Sequence, residues 1–141
     1  MEKLKSRSKA MQKALSTLQE GIQEMELPLP GRPKAYQLMR DGVTQRFEYC
    51  IDSYWKFFKF YLEIVSKVTI DQPISPKIIF REALYLQLIS EAEHKVLNHS
   101  ITQRNLTSHT YDEKTAEKIY EHIPLYYQTM KSILDRLKIE N

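Results

Sequence analysis

The chain has 141 residues, 21 basic against 18 acidic side chains, and a net charge of +3. This length fits one domain spanning residues 1–141, and the small positive charge permits contact with RNA or phosphate without requiring it. A single cysteine, Cys50, excludes an internal disulfide, and no apolar run reaches the roughly 18 residues that a membrane span needs. The amino terminus carries charges where a secretory signal has its apolar region, so we expect a cytoplasmic protein.

Apolar residues at helical spacing predict a first helix over about residues 2–26. The proline-rich stretch LPLPGRP should end this helix and form an exposed linker over residues 27–34. A second helix follows from about residue 35 to residue 67, and its centre holds eight aromatic residues in twenty, over 46–65. Because these apolar residues occupy more than one face, the helix should either be central to a bundle or have a second partner.

The remaining chain predicts three more helices. Ser75 and Pro76 form a good helix start, and the third helix should run through PKIIFREALYLQLI to a tight break near Ser90. A fourth amphipathic helix follows, and the capping-box pattern over 110–113 places the start of the last helix near residue 111. Pro124 should bend that helix or interrupt one turn. The expected fold is therefore all-α, an antiparallel up-and-down bundle of about five helices.

The stretch RNLTSHTY, residues 104–111, contains side chains suited to phosphate chemistry. Histidine titrates near neutrality and can exchange protons with a ribose 2′-hydroxyl or a leaving 5′-oxygen, which makes His109 a candidate acid–base group. The fork of Arg104 can hold phosphate oxygens and stabilise charge during transfer, while Asn105 or Ser108 could orient a substrate. Cleavage of this kind requires no metal and no cofactor.

Helical geometry does not decide whether Arg104 and His109 form one site. Five residues turn an ideal helix by about 500°, so Arg104 and His109 would point about 140° apart. They can converge if the chain changes direction near residues 108–110, or if a second copy of the chain supplies a matching set. In the plainer interpretation, Arg104 pairs with an acid, His109 caps a helix end, and Tyr111 packs.

Three blocks of the sequence carry a resemblance to a known family: RFEYCIDSYWKFFKFYLE, SPKIIFREALYLQLI and RNLTSHTYDEKTAEKIYEHI. In the same order, they resemble the nucleotidyltransferase substrate-binding protein family of the HEPN (higher eukaryotes and prokaryotes nucleotide-binding) superfamily. The similarity covers about residues 10–138, and the motif R-x4-H-x-Y within the third block is its specific part.

The resemblance implies a helical bundle that forms a homodimer, or a larger even assembly, with two copies of the motif around a shared cleft. It also implies a separate small nucleotidyltransferase of the MNT type as a partner. Where such modules act as toxin and antitoxin, the HEPN protein is a metal-independent ribonuclease, which the partner silences by adding AMP to a tyrosine. By position, Arg104 and His109 would be catalytic, and Tyr111 would be the modified residue.

Two classes of function therefore stay open. One is an RNA-cleaving toxin, and the other is a non-catalytic subunit that binds a substrate or nucleotide and docks with a nucleotidyltransferase. If Tyr111 lies in the first turn of the last helix, an adenylate added to it would meet the positive potential of the helix start. The same adenylate would fill the cleft that RNA needs.

Other candidate sites are weaker. His94 and His99 are five residues apart, not the i, i+4 spacing of helical zinc ligands, so we interpret them as solvated, and we assign His122 no role. The aromatic cluster 55–60 could stack bases but is better explained as core and dimer contact. The three glycines do not form a phosphate-binding loop, and the lysines of the first helix form a solvated face.

Overall fold

A computed structural model describes residues 1–25, 31, 33–70, 74–109 and 112–137, without the side chains of 107–109. This part of the chain forms five α-helices and no strand, which confirms the predicted all-α bundle. The helices are α1 (Glu2–Gln23), α2 (Pro33–Ile64), α3 (Pro76–Tyr85), α4 (Glu91–His109) and α5 (Glu113–Arg136).

Helix α2 is the centre of the bundle, because it packs against each of the other four helices. Its aromatic residues are mostly covered within one chain: Phe57 and Phe58 are fully buried, whereas Trp55 and Phe60 are half-buried. Tyr49 is the exception and has 66% of its surface exposed. The two-faced apolar pattern is therefore explained by the central position of α2, and it does not by itself require a second copy of the chain.

The first two helices differ slightly from their predicted bounds. Helix α1 ends at Gln23 rather than near residue 26, and α2 ends at Ile64 rather than near residue 67. Helix α2 also begins two residues early, at Pro33, because proline suits a first helical turn, where the backbone N–H has no helical partner. The predicted linker 27–34 thus loses its last two residues to α2, and most of its remainder lies outside the described residues.

The start of α3 is as predicted, but its end is not. The Ser75 hydroxyl accepts a hydrogen bond from the Ile78 backbone N–H at 3.3 Å, and Pro76 follows as the first helical residue. Helix α3 stops at Tyr85 instead of continuing to residue 89, and Gln87 has a left-handed backbone (φ 61°). The break before α4 is therefore a turn of several residues, in which Leu86 is exposed while Ile89 remains buried in the core.

Both remaining helices begin with a side-chain cap. At α4, Ser90 and Glu93 form a capping box, with bonds of 3.1 Å from the Glu93 N–H to the serine hydroxyl and 2.8 Å from the Ser90 N–H to the carboxylate. At α5 the predicted box over 110–113 is wrong, because Asp112 is the N-cap and accepts from the Lys114 N–H at 3.1 Å. Helix α5 then continues through Pro124 without interruption.

An ion pair between the start of α4 and the end of α5 yields a pH-dependent prediction. The two guanidinium nitrogens of Arg136 donate to the Glu93 carboxylate at 2.6 and 2.7 Å, and this pairing lowers the pKa of Glu93 below its ordinary value. The paired carboxylate contributes stability above the unfolded-state pKa, and that stability is lost as the pH falls through the folded-state pKa. Glu93→Gln should therefore cost about 1 kcal/mol of unfolding free energy at pH 7.

Urea titrations of both proteins at pH 7 and at a series of lower pH values measure this difference, which should shrink as the pH falls through the folded-state pKa, because a protonated Glu93 is neutral like the glutamine. Glu91→Gln is the matched control, since Glu91 is an exposed acid in the same helical turn. A cost for Glu93→Gln that stayed constant across this range would contradict the ion-pair explanation.

Candidate functional site

Arg104 lies on α4 and faces two carboxylates on α2. Its Nη2 donates to an Asp52 carboxylate oxygen at 3.2 Å, and its Nη1 lies 3.4 Å from a Glu48 carboxylate oxygen. Glu48 and Asp52 are four residues apart, so they lie on one side of α2. A quarter of the Arg104 side chain is exposed. The guanidinium is thus held in a defined orientation at the surface, and its pairing with acids agrees with the plainer interpretation of this residue.

Arg104 and His109 lie on the same continuous helix, because α4 runs without a break to its last residue, His109. Their helical positions are therefore about 140° apart around the axis and about 7.5 Å apart along it. The chain leaves the helix only after His109, so the change of direction that would have brought these two residues together within one chain does not occur between them. A second copy of the chain is the remaining way to combine the two groups.

The other predicted site residues are placed less completely. Asn105 is exposed on α4, next to Arg104. Ser108 belongs to the last turn of α4, but its side chain and that of His109 lie outside the described residues, and Tyr111 lies outside them altogether. The structure therefore brings Arg104 together with Glu48 and Asp52, neither of which the sequence had suggested as a site residue.

Arg40 is a buried arginine that the sequence had not suggested as a functional residue. Only 1% of its side chain is exposed, and its guanidinium contacts Glu113 at 2.7 Å, Glu117 at 2.9 Å and Asp41 at 3.1 Å. The hydrogen bond to Glu113 makes the largest contribution to raising the pKa of Arg40 above its ordinary value. Since Glu113 is the first residue of α5, this cluster fixes the start of the helix that follows the 104–111 motif.

Tyr36 completes the Arg40 cluster. Its hydroxyl donates to Glu117 at 2.7 Å, and its ring packs edge-on against Tyr120 at 5.8 Å between centroids. Burial, followed by the bond to Glu117, raises the pKa of Tyr36 above its ordinary value. A sequence signal for the cluster does exist: Arg40 is a charged residue in the stripe of α2 that also holds Tyr36, Val43 and Phe47.

A histidine pair joins α4 to α5 on another part of the surface. Nδ1 of His99 lies 2.6 Å from the Tyr126 hydroxyl, Nδ1 of His122 lies 2.7 Å from the Lys118 carbonyl, and the two imidazole centroids are 5.3 Å apart. His99 is exposed, as expected, but it is hydrogen-bonded, and His94 is half-buried rather than solvated. Within the described part of the chain, no three His, Cys, Asp or Glu side chains cluster closely enough to hold a metal ion.

Two further features bear on the function. Cys50 is fully buried, and burial raises the pKa of its thiol to about 12, which suits a core residue and not a nucleophile.

Among the described residues, no helix combines the length and apolar character that crossing a membrane requires.

Comparison with known proteins identifies the family of this chain. Residues 6–139 match the family model described as "Nucleotidyltransferase substrate binding protein like". A Thermus thermophilus protein of known crystal structure is 32% identical, with a TM-score of 0.77, over 92% of this chain and 99% of that one. No curated protein matches. The family match spans nearly the whole chain, and the chain therefore belongs to the nucleotidyltransferase substrate-binding protein-like family.

Proposed function

We propose that this protein is the HEPN component of a two-component nucleotidyltransferase module and that it acts as a metal-independent endoribonuclease when two copies associate. The observation that carries this proposal is the partial exposure of Arg104 on α4, since a quarter of its side chain reaches the surface, where a phosphate can contact the guanidinium. The family membership, the intact R-x4-H-x-Y motif and the position of His109 at the end of the same helix support it.

The proposed chemistry uses two groups. The neutral imidazole of His109 removes the proton from a ribose 2′-hydroxyl, the 2′-oxygen forms a bond to phosphorus, and the bond between phosphorus and the 5′-oxygen breaks. The imidazolium formed in this way then gives its proton to the leaving 5′-oxygen. Arg104 exchanges part of its pairing with Glu48 and Asp52 for the phosphate and stabilises its growing negative charge. Asn105 and Ser108 orient the substrate.

Expression in a bacterial host tests this function. The unaltered chain should arrest growth, and His109→Ala should restore it, because the reaction then lacks its proton carrier. His94→Ala is the control, since it removes another histidine from α4 and should leave growth arrested. Normal growth with the unaltered protein present in soluble form would argue against the ribonuclease.

A second prediction concerns Tyr111, which we propose as the residue that the partner modifies. Incubation with the cognate nucleotidyltransferase and ATP should add the mass of AMP to the protein, and peptide mass spectrometry should locate it at Tyr111. The substitution Tyr111→Phe should remove this gain in mass, because the phenyl ring has no hydroxyl to accept the adenylate. Mass added to another residue, or retained in the phenylalanine variant, would refute modification at this tyrosine.

The alternative function is a non-catalytic subunit that binds a substrate or nucleotide and docks with the nucleotidyltransferase. The pairing of Arg104 with two carboxylates favours it, because those acids compete with a phosphate for the guanidinium. The description of the family as substrate-binding also supports it. Healthy growth together with a stable complex on co-expression would identify this function.

A further inference from the structure

A pocket between α1 and α2 is separate from the residues of the 104–111 motif. Its volume is about 470 Å³, within the range of small-molecule sites. Small side chains form part of its wall, and longer polar or aromatic ones surround them. The lining residues are Ala10, Lys13, Ala14, Thr17, Gly42, Gln45, Arg46 and Tyr49.

The two charged residues of this pocket are both basic. Lys13 is exposed and, within the described part of the chain, forms no ion pair. The guanidinium of Arg46 is already oriented, because its Nη1 donates to the Thr17 carbonyl at 2.9 Å. The same nitrogen lies 3.9 Å from a carboxylate oxygen of Glu20, which is a long distance for an ion pair. An anionic group entering the pocket would therefore meet one unpaired ammonium and one oriented guanidinium, an arrangement suited to a phosphate.

The pocket also offers an open aromatic face. Tyr49 has 66% of its surface exposed, and its ring stacks on no other ring of the described residues. Exposed aromatic rings beside basic groups are the usual platform for a nucleobase, because stacking tolerates any base. The α1–α2 pocket thus places a stacking surface and two phosphate-binding groups within the same concavity.

Gly42 is the third feature that points to a ligand. It lies within α2, where glycine costs about 1 kcal/mol relative to alanine. Packing does not explain it, since a Cβ built at Gly42 meets no atom within 4 Å. A glycine in a helix whose missing side chain borders a pocket permits close approach of another molecule to the backbone.

We propose that the α1–α2 pocket binds a nucleoside phosphate, with the base against Tyr49 and the backbone at Gly42, and the phosphate on Lys13 and Arg46. This site does not depend on the proposed ribonuclease activity. It borders the Arg104 cluster along α2, since Glu48, which pairs with Arg104, directly precedes Tyr49 on the next face of that helix. The bound nucleotide is either free or part of a single-stranded RNA that extends from the cleavage site.

Calorimetric titration with 5′-AMP and, separately, with a short single-stranded RNA distinguishes these two sources. Gly42→Met places a long side chain in the pocket, and it should weaken binding of whichever probe is the ligand by about tenfold or more. Gly42→Ala is the matched control, since its methyl group is small, and it should keep binding within about twofold while raising thermal stability. Tyr49→Ala, on an exposed position, should weaken binding by about tenfold through lost stacking.

Binding of AMP in competition with RNA would identify a free nucleotide as a ligand. Binding of RNA alone, weakened by Gly42→Met, would identify a single-stranded RNA. Either result supports the pocket. Absence of binding by both probes, or binding unchanged in Gly42→Met and Tyr49→Ala, would overturn it. A change of oligomeric state in Gly42→Met with no binding of either probe would show instead that this face contacts a second copy. Arg104→Ala should abolish cleavage but keep AMP binding within about twofold, so the two proposals fail separately.

Discussion

Replacing Arg40 with methionine should lower the free energy of unfolding by about 2–3 kcal/mol, because it removes the buried cation that pairs with two glutamates. The figure is below that for a fully enclosed ion pair, since Glu113 and Glu117 are 54% and 35% exposed and can be solvated in part. The dipole of α5 also favours acids in its first turn. Chemical denaturation of the purified protein measures the loss.

Lys56→Met on the exposed side of α2 is the control for Arg40→Met, and it should change the unfolding free energy by less than about 0.5 kcal/mol. Combining Arg40→Met with Glu117→Gln should recover part of the loss, because one unpaired carboxylate is then removed. If Arg40→Met were as stable as the unaltered protein, the cluster would not be what anchors the start of α5.

Arg104→Ala and His109→Ala should each reduce RNA cleavage by about 10²–10⁴-fold in a purified assay, because each removes a group that acts only in the transition state. Arg104→Lys should also fail, since a lysine ammonium cannot form the two-pronged contact of a guanidinium with phosphate. Cleavage rates on a labelled single-stranded RNA, measured in the presence of a chelator, provide the readout.

The matched control for these losses is Arg81→Ala, which removes an arginine on the exposed side of α3, outside both the 104–111 motif and the α1–α2 pocket. Its cleavage rate at saturating RNA should stay within about threefold of the unaltered protein, even if RNA binding weakens. Full activity in Arg104→Ala would remove Arg104 from the mechanism and leave the docking function as the better account.

Local signals in the sequence predicted most of the fold. Helical stripes depend on neighbouring residues alone, and the cap formed by Ser75 needs only the next three residues, so both could be inferred without a structure. The capping pattern shows the limit of such reasoning. It occurs at residues 90–93 and again at 110–113, yet only the first forms, because Glu113 pairs with the distant Arg40 and Asp112 provides the cap instead.

The candidate site was predicted only in part, for the same reason. The motif identified Arg104 and His109 by their chemistry, but the partners of Arg104 lie more than 50 residues away on α2. Where α4 ends was equally inaccessible, because polar residues continue through the junction and the position of its last turn depends on packing. The structure gives His109 as the last residue of α4, and of the two arrangements that the sequence left open this favours the one shared between two copies.

Mixing two inactive variants tests the central claim, that the nuclease site is shared between two copies. Arg104→Ala and His109→Ala subunits are co-purified with different tags, and the mixed species is isolated. If Arg104 of one copy acts with His109 of the other, one of the two sites in a mixed dimer is intact, and about half of the unaltered activity should return. A mixed dimer as inactive as either parent would contradict the shared site.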